Sequence, residues 1–412
     1  MNQSNGQKDT TAQGSGGLTC EVYDSFEAVP HSSEDWDDFV AKAGGDIYLS
    51  YDWCRVWWKH YGQKRDLRIF IFRKEGKIVG LLPMFVDRFR LGIPWFRLAK
   101  VVGSDFTLGV CNPPVQPEHA PDVFRLLFGA LLVTEKCHAV WLGPIHEDCK
   151  ALDGLGRACK EPSSEWRLFR EHALAPHTFF NLPGSFEDYL MSLGKSMRGN
   201  FRRSWKQLNE AYSVQADSVV QPAELEREFE KFVDLHTAQW AAESKLGHFG
   251  DWPDALEFNR DLVRAYSAKG RVRLHRLIAD GEVVSYQYCF AFGDCNHWRL
   301  PARVVGHEWD RFSLGNLTLV LLFETSIGEG IYRVEGGQGH YDYKIKLGGE
   351  ELSLRSLLVV RNGFGAALRA RLFTALADFL QFFYYRGWFH KISPRLPLKR
   401  RPLWGAWIRT RN

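Results

Sequence analysis

The apolar positions along this chain alternate between two periodicities. Residues 33–43 read as a short capped helix, with Ser32 or Ser33 ahead of acidic residues. Residues 51–61 carry Trp53, Val56, Trp57 and His60 at helical spacing, which predicts an aromatic face turned to a core. The pattern then shifts to that of strands. Residues 67–72 and 78–86 are β-rich runs around the turn Glu75-Gly76-Lys77, a hairpin. Further strands are expected at 98–102, 107–110 and 139–142, with a helix over 122–133.

The hairpin returns in the second half, where 272–278 and 283–292 flank Asp280-Gly281-Glu282. Side by side, FIFRKEGKIVGLLPMF and HRLIADGEVVSYQYCF share a charge, a glycine, a second charge, a β-branched pair and an apolar return. The same unit therefore occurs twice, about two hundred residues apart, which predicts a duplicated α/β domain with a boundary in 175–184. Between the hairpins, helices are predicted over 185–193, 196–210, 223–242 and 254–268. In the second of these Lys195, Arg198, Arg202 and Lys206 line one face, while Met197, Phe201, Trp205 and Leu208 line another. Residues 195–207 hold five basic side chains, Arg203 included, and no acid. Two readings stand side by side, a solvated face and a seat for an anionic ligand.

Beyond Gly348 come strand-like residues 352–360, a helix over 365–385 and a basic tail. The charges of Arg369, Arg371 and Asp378 exclude a spanning helix, and no acid follows Asp378. Trp388, Phe389, Trp404 and Trp407 are interleaved with the tail's arginines and lysines. This composition suits peripheral contact with an anionic membrane surface; a helix packed on its own domain with a solvated tail is the alternative.

Length adds a domain count: 412 residues exceed one typical core. The divisions expected are a disordered tail (1–19), a first domain (20–178), a second (179–360) and the helix with its tail (361–412). The tail is polar and lacks the apolar core of a signal peptide. A net charge of +4 is too small for wholesale nucleic-acid binding. Eight cysteines without a C-x-x-C pair or zinc-like spacing read as reduced thiols of a cytosolic protein that binds no metal.

One stretch carries candidate chemistry. Ser313-Leu314-Gly315-Asn316 opens an apolar helical run at 317–327, followed by a turn at 328–330 and a strand at 331–334. A loop with Gly336, Gly337 and Gly339 then runs into Tyr341-Asp342-Tyr343-Lys344. Unpaired amides and the helix dipole make such a helix start a seat for phosphate; ordinary capping by Ser313 is the other reading.

The order GKSMRGNFRRSWKQL, FVDLHTAQWAAESKLGHF, the hairpin and SLGNLTLVLLFETSIGEGIYRVEGGQGHYDYK resembles the CelD-type acetyltransferase-like proteins of bacterial exopolysaccharide and cellulose loci. These lie in the GNAT superfamily and are cousins of the Fem-type aminoacyltransferases. The resemblance spans roughly residues 26–349 and is strongest from Asn181 onward. Ser313, Gly315, Gly339, Tyr343 and Lys344 match the family's wording. Leu314 stands where the family has Pro, and Glu335 sits near a common Asp, which puts residue-level transfer of an acid or base in doubt.

The resemblance implies an α/β (α+β) fold class, two tandem GNAT-like folds with mixed sheets flanked by helices. It also implies acyl transfer from acyl-CoA to an amine acceptor, linked to a sugar or exopolysaccharide precursor. The donor's pyrophosphate is expected on Ser313, Leu314, Gly315 and Asn316, with Arg198, Arg202 or Lys206 neutralising it. A splayed strand within 296–304 would supply oxyanion donors. His236 is the leading candidate base, with Asp342 and Glu335 as carboxylate alternatives, and Tyr343 is the candidate acid. Trp240 would wall the acceptor pocket, with Lys344 and His340 as further contacts. The expected location is cytoplasmic, peripheral at the inner membrane face. Two alternatives remain: a Fem-like transferase using aminoacyl-tRNA, and a non-catalytic partner of a polysaccharide synthase.

Overall fold

In the computed structural model the described residues are 9–13, 17–91, 93–107, 109–160, 165–393, 401 and 403–411. In chain order the strands are β1 (Asp9–Gln13), β2 (Leu18–Tyr23), β3 (Asp66–Lys74), β4 (Lys77–Leu91), β5 (Ile93–Val101), β6 (Ala139–His146), β7 (Trp166–Asn181), β8 (Val214–Val219), β9 (Val272–Ala279), β10 (Glu282–Phe292), β11 (Cys295–Arg303), β12 (Arg333–Gln338) and β13 (Glu350–Arg361). Five helices matter below: α1 (Lys195–Ala211), α2 (Pro222–Ala242), α3 (Leu314–Gly328), α4 (Phe364–Phe379) and α5 (Trp404–Thr410). The chain divides into two compact units. Unit 1 runs to Leu174 and resumes from Leu354 to the end; unit 2 is Ala175–Ser353.

Both units are built on one topology. In unit 1, β2, β3, β4 and β5 form an antiparallel meander. A helical crossover containing Ala120–Phe128 then leads to β6, which is parallel to β5, and Leu354–Val360 of β13 closes the sheet antiparallel to β6. In unit 2 the meander is β8, β9, β10 and β11. The crossover through α3 leads to β12, parallel to β11, and His177–Asn181 of β7 closes antiparallel to β12. This is the tandem, mixed-sheet α/β architecture that the repeated hairpin predicts. Both hairpins turn on residue pairs with positive φ, Glu75-Gly76 and Asp280-Gly281. Two consecutive left-handed residues match the twist of the flanking strands, which explains the repeated charge-Gly signature.

The cores follow the aromatic pattern. Trp36, Trp53 and Trp57 are fully buried in unit 1. In unit 2, Phe180, Trp298, Phe323 and Val334 cluster on the α3 side of the sheet. Phe229 and Phe232 of α2 pack with tilted rings on Tyr288 on the other side. The helix α3 is buried continuously from Leu317 to Phe323, while Glu324 in its last turns is exposed.

Outside the candidate site the structure departs from the sequence reading in three places. Residues 9–13 form a strand on β2 and residues 18–19 belong to β2, although 1–19 read as a disordered tail. Main-chain pairing needs no apolar side chain, so hydropathy misses it; residues 1–8 and 14–16 lie outside the described residues. The strand expected at 107–110 is not formed by the described residues there: Thr107 lies in a bend, its hydroxyl donating to the Gly103 carbonyl at 2.9 Å. Finally, the C-terminal segment is part of unit 1, which begins again at Leu354 rather than ending a separate domain at 360.

That return is fixed by charge as well as packing. Trp404 and Trp407 of α5 are buried, so they are core residues of unit 1 rather than a free aromatic tail. Arg409 bonds Asp87, which also meets Arg65 at 3.2 Å, and Arg65 holds Asp105 through two bonds of 3.0 and 3.1 Å. Lys100 reaches both Asp105 at 3.5 Å and the Arg411 carbonyl at 3.2 Å. No helix among the described residues is long and apolar enough to cross a membrane.

Candidate active site

In unit 2 the loop that follows β11 delivers the chain to α3 through Ser313, whose backbone is left-handed (φ 51°) and whose hydroxyl makes no capping bond. Simple capping is therefore not its role. Leu314 turns inward and packs with Leu208, Leu277, Val284 and Phe312. The amide of Asn316 bonds the Ser313 carbonyl at 3.0 Å, whereas among the described residues the amides of Leu314 and Gly315 have no acceptor. A Cβ on Gly315 would meet only Arg303 Cδ, at 3.6 Å, so the turn is approachable from outside. Two unpaired amides at the start of a fifteen-residue helix have the electrostatics of an anion seat, with Arg303 beside them shared with Asp310 at 3.7 Å.

The sheet opens next to this turn. The strands β11 and β12 pair only from Cys295–Arg333 to His297–Glu335, and beyond His297 only β10 still pairs with β11. A bulge sharpens the departure: Cys289 opposes Trp298 while Tyr288 opposes Leu300, so Arg299 is the extra residue. In β12 the register against β7 slips between Glu335 and Gly337, where φ is 82°. Gly336 and Gly337 thus lie in a bulged strand rather than in the loop read from sequence.

Gln287 ties the turn to the opening. Its Nε2 donates to the Gly315 carbonyl at 3.2 Å and its Oε1 accepts the Trp298 indole N–H at 2.7 Å. Trp298 in turn contacts Tyr343 edge-on at 6.5 Å and lies 5.5 Å from Lys344 Nζ. Lys344 is 4% exposed, donates to the Gly336 carbonyl at 2.7 Å and sits 4.7 Å from the Tyr341 ring. Burial brings its pKa down to about 8, and burial pushes the Tyr343 hydroxyl up to about 12. Gly315, Tyr343 and Lys344 therefore form one connected group, joined by two residues that sequence reading did not single out.

A second group lies along the far end of β11. The Val304 N–H bonds the Val284 carbonyl of β10, so by alternation the Arg303 N–H and the Pro301 carbonyl face the side that β12 has left. Side chains of α2 take both: His236 Nδ1 donates to Pro301 at 2.9 Å, and Gln239 Oε1 accepts from Arg303 N at 2.9 Å. A carbonyl only accepts, so Nδ1 carries the proton and Nε2 is the basic nitrogen. His248 faces that nitrogen, with its Nδ1 at 3.2 Å. His236 is 1% exposed and burial lowers its pKa to about 4, so it is neutral at pH 7. Trp240 packs on both imidazoles, and His248 is open to solvent.

The remaining candidates have protein partners. Arg198 donates to the Met191 and Leu193 carbonyls at 3.1 and 3.2 Å, Arg202 pairs with Glu187 at 3.1 Å, and Lys206 pairs with Glu210 at 3.7 Å. It is the opposite face of α1, with Phe201, Trp205 and Leu208, that packs against Leu314 and Leu317. Glu335 bonds His177 at 2.6 Å and Arg333 at 2.6 Å. Burial opposes its charge, but His177, His297 and Arg333 outweigh burial and hold the carboxyl well below its usual range. His340 bonds Glu351 at 2.8 Å and lies 3.5 Å from Asp342, both His340 and Asp342 being exposed.

Residues 195–345 match the family described as acetyltransferase (GNAT) domain. Unit 2 thus carries a GNAT-type N-acyltransferase domain, and the two connected groups above lie within it. Among solved structures, the chain is similar to the crystal structure of FemX (TM-score 0.61, 12% identity, covering 84% of this chain and 99% of that one). It is also similar to a conserved protein of unknown function from Bacteroides thetaiotaomicron VPI-5482 (TM-score 0.50, 10% identity, 81% and 99% covered). No curated protein sequence matches.

Proposed function

We propose that the chain transfers an acyl group, acetyl by preference, from acyl-CoA to an amine on a sugar or exopolysaccharide precursor, in the manner of the CelD-type proteins it resembles. One observation carries the reading: the unpaired amides of Leu314 and Gly315 lie beside an approachable turn that Gln287 links to the opening between β11 and β12. The diphosphate of the donor rests on these amides, with Arg303 beside them. The same residues fit a free coenzyme A, which supplies the thioester when acylated.

The base is the His236–His248 pair. With the Pro301 carbonyl holding Nδ1–H of His236, the His248 Nδ1–H donates to His236 Nε2, which leaves His248 Nε2 as the outward lone pair. Desolvation, His236 and Arg299 lower the His248 pKa to about 3, so that atom takes the amine proton only as the new C–N bond makes it acidic. Tyr343, protonated across the working range, donates to the departing thiolate. Lys344 holds a substrate oxygen, and Trp240 walls the acceptor side. Glu335 serves as an ionic anchor, already satisfied by His177 and Arg333. Peripheral contact with an anionic membrane belongs to the same reading.

A second reading, an aminoacyl-tRNA donor, draws on a different observation. His236 and Gln239 occupy the edge of β11 along which the amides of a pantetheine arm would otherwise pair. An assay with acetyl-CoA and amino sugars, following free thiol, separates the two. Thiol release that depends on the amine supports the first reading. Transfer only when charged tRNA is added, with loss of binding in salt, replaces it.

A further inference from the structure

The helix α4 continues without a break into the helical segment Leu380–Ile392. One side of it faces the core of unit 1 through Ala366, Ala370 and Phe373, with Leu380, Tyr384 and Phe389 also buried. The other side exposes Phe364, Leu368, Leu372, Leu376, Phe379 and Phe383, spaced by four, four, four, three and four residues. That spacing puts them in one line along the segment, with Phe364 86% and Phe383 68% exposed. A line of six large apolar side chains open to water is unusual for a free surface.

The charges beside the line are of one sign. Arg369, Arg371, Arg386 and Lys391 are exposed. The one acid of the segment, Asp378, is bonded to Arg170 at 3.1 Å. At the Phe364 end the line runs into a cavity of about 430 Å³ where Arg167 and Arg371 meet Phe364, Leu368 and Asn362. An apolar floor with two guanidinium groups at its rim matches a phosphodiester headgroup above its acyl chains. A second copy docked about a two-fold axis would set this basic rim against itself, which disfavours self-pairing.

We propose that this stripe docks the protein on an anionic lipid bilayer, with the helix lying in the interface plane and its basic flanks on the headgroups. The docking surface is thus the Phe364–Phe383 line and not the tail's tryptophans, of which Trp404 and Trp407 are interior. It makes specific the peripheral contact in the reading above and depends on none of the transfer chemistry.

The test is flotation of the full-length protein with vesicles of phosphatidylglycerol or of phosphatidylcholine, with its mass in solution measured by light scattering. Two variants accompany it: Leu372→Glu with Phe379→Glu, and Arg371→Glu with Arg386→Glu. The parent should float with phosphatidylglycerol, less so in high salt, and not with phosphatidylcholine. The first variant should bind about a hundredfold more weakly while keeping the parent's Tm. The second should lose the preference for the anionic lipid. A parent that stays with the soluble fraction overturns the proposal, as do variants that float like the parent. So does a parental dimer, indifferent to lipid, that the first variant splits, since the stripe is then an interface between copies. Thiol release in the transfer assay reports separately on the chemistry.

Discussion

The side-chain amide of Gln287 holds the carbonyl of Gly315 at 3.2 Å. With its oxygen on the Trp298 indole, this one residue sets the distance between the start of α3 and the aromatic wall of the sheet's opening. The anion seat and the Tyr343–Lys344 corner are thereby one structure.

Replacing Gln287 by Leu keeps the volume but strands the buried Trp298 N–H and removes the side-chain bond to the Gly315 carbonyl, which keeps its helical partner. The expected cost is about 1–2 kcal/mol of unfolding free energy, since the indole N–H loses its partner without gaining water. Urea denaturation reads the loss. In the transfer assay the KM for acyl-CoA should rise more than kcat falls, because the seat moves while Tyr343 stays.

The depressed pKa of His236 makes acid sensitivity a second expectation. Its value is about 4 when folded, against about 6.5 in the unfolded chain. The unfolded state therefore binds the extra proton first as pH falls. Stability from neutral His236 is whole above pH 6.5 and is lost progressively towards pH 4, by about 3 kcal/mol. His236→Gln should flatten that part of the pH–stability curve. An unchanged slope would remove His236 from the account of acid unfolding.

Lys344, with a pKa of about 8, should titrate in the working range. If its charge holds the substrate, kcat/KM falls as pH rises through about 8. Lys344→Met should lower the plateau and abolish that limb, because methionine fills the same volume without a proton. A limb that persists in the variant assigns it to another group.

Asp87→Asn tests the return of the C-terminal segment. Burial alone would raise the Asp87 pKa, but Arg409, Arg65 and Lys100 outweigh it and keep the carboxylate charged. Removing that charge leaves Arg65 and Arg409 without their shared partner, at a cost of about 3 kcal/mol. Limited proteolysis should then cut ahead of α5 sooner than in the parent. Equal cutting rates would show that the packing of Trp404 and Trp407 suffices.

Much of the fold was legible because it is set locally. The Glu75-Gly76 and Asp280-Gly281 pairs demand left-handed backbone, and the mostly apolar run 317–323 of α3 demands burial. What sequence did not disclose is mostly non-local. Strand β1 is held by main-chain bonds to β2, and each sheet is closed by a strand, β13 or β7, that is remote in sequence from its partner. In the candidate site, Ser313 and Gly315 stood out as a helix start behind a small-residue turn, and Tyr343 and Lys344 through the family resemblance. Gln287, Trp298, Gln239 and His248 did not, since a strand glutamine or tryptophan reads as β-former or core until its partner is seen. The basic face of α1 shows the same limit: Glu187, the partner of Arg202, is on another helix and could not be read from the run itself.

The most direct measurement is a thermal-shift titration with acyl-CoAs of graded chain length on the parent and on Gly315→Trp. The indole would cover the amides of Leu314 and Gly315 while projecting from an open turn, so the variant should fold. The account predicts that CoA raises the parent's Tm by several degrees and leaves the variant's unchanged, as expected for a ligand that binds only the folded seat. Equal stabilisation of both would contradict it and remove this turn from the donor site.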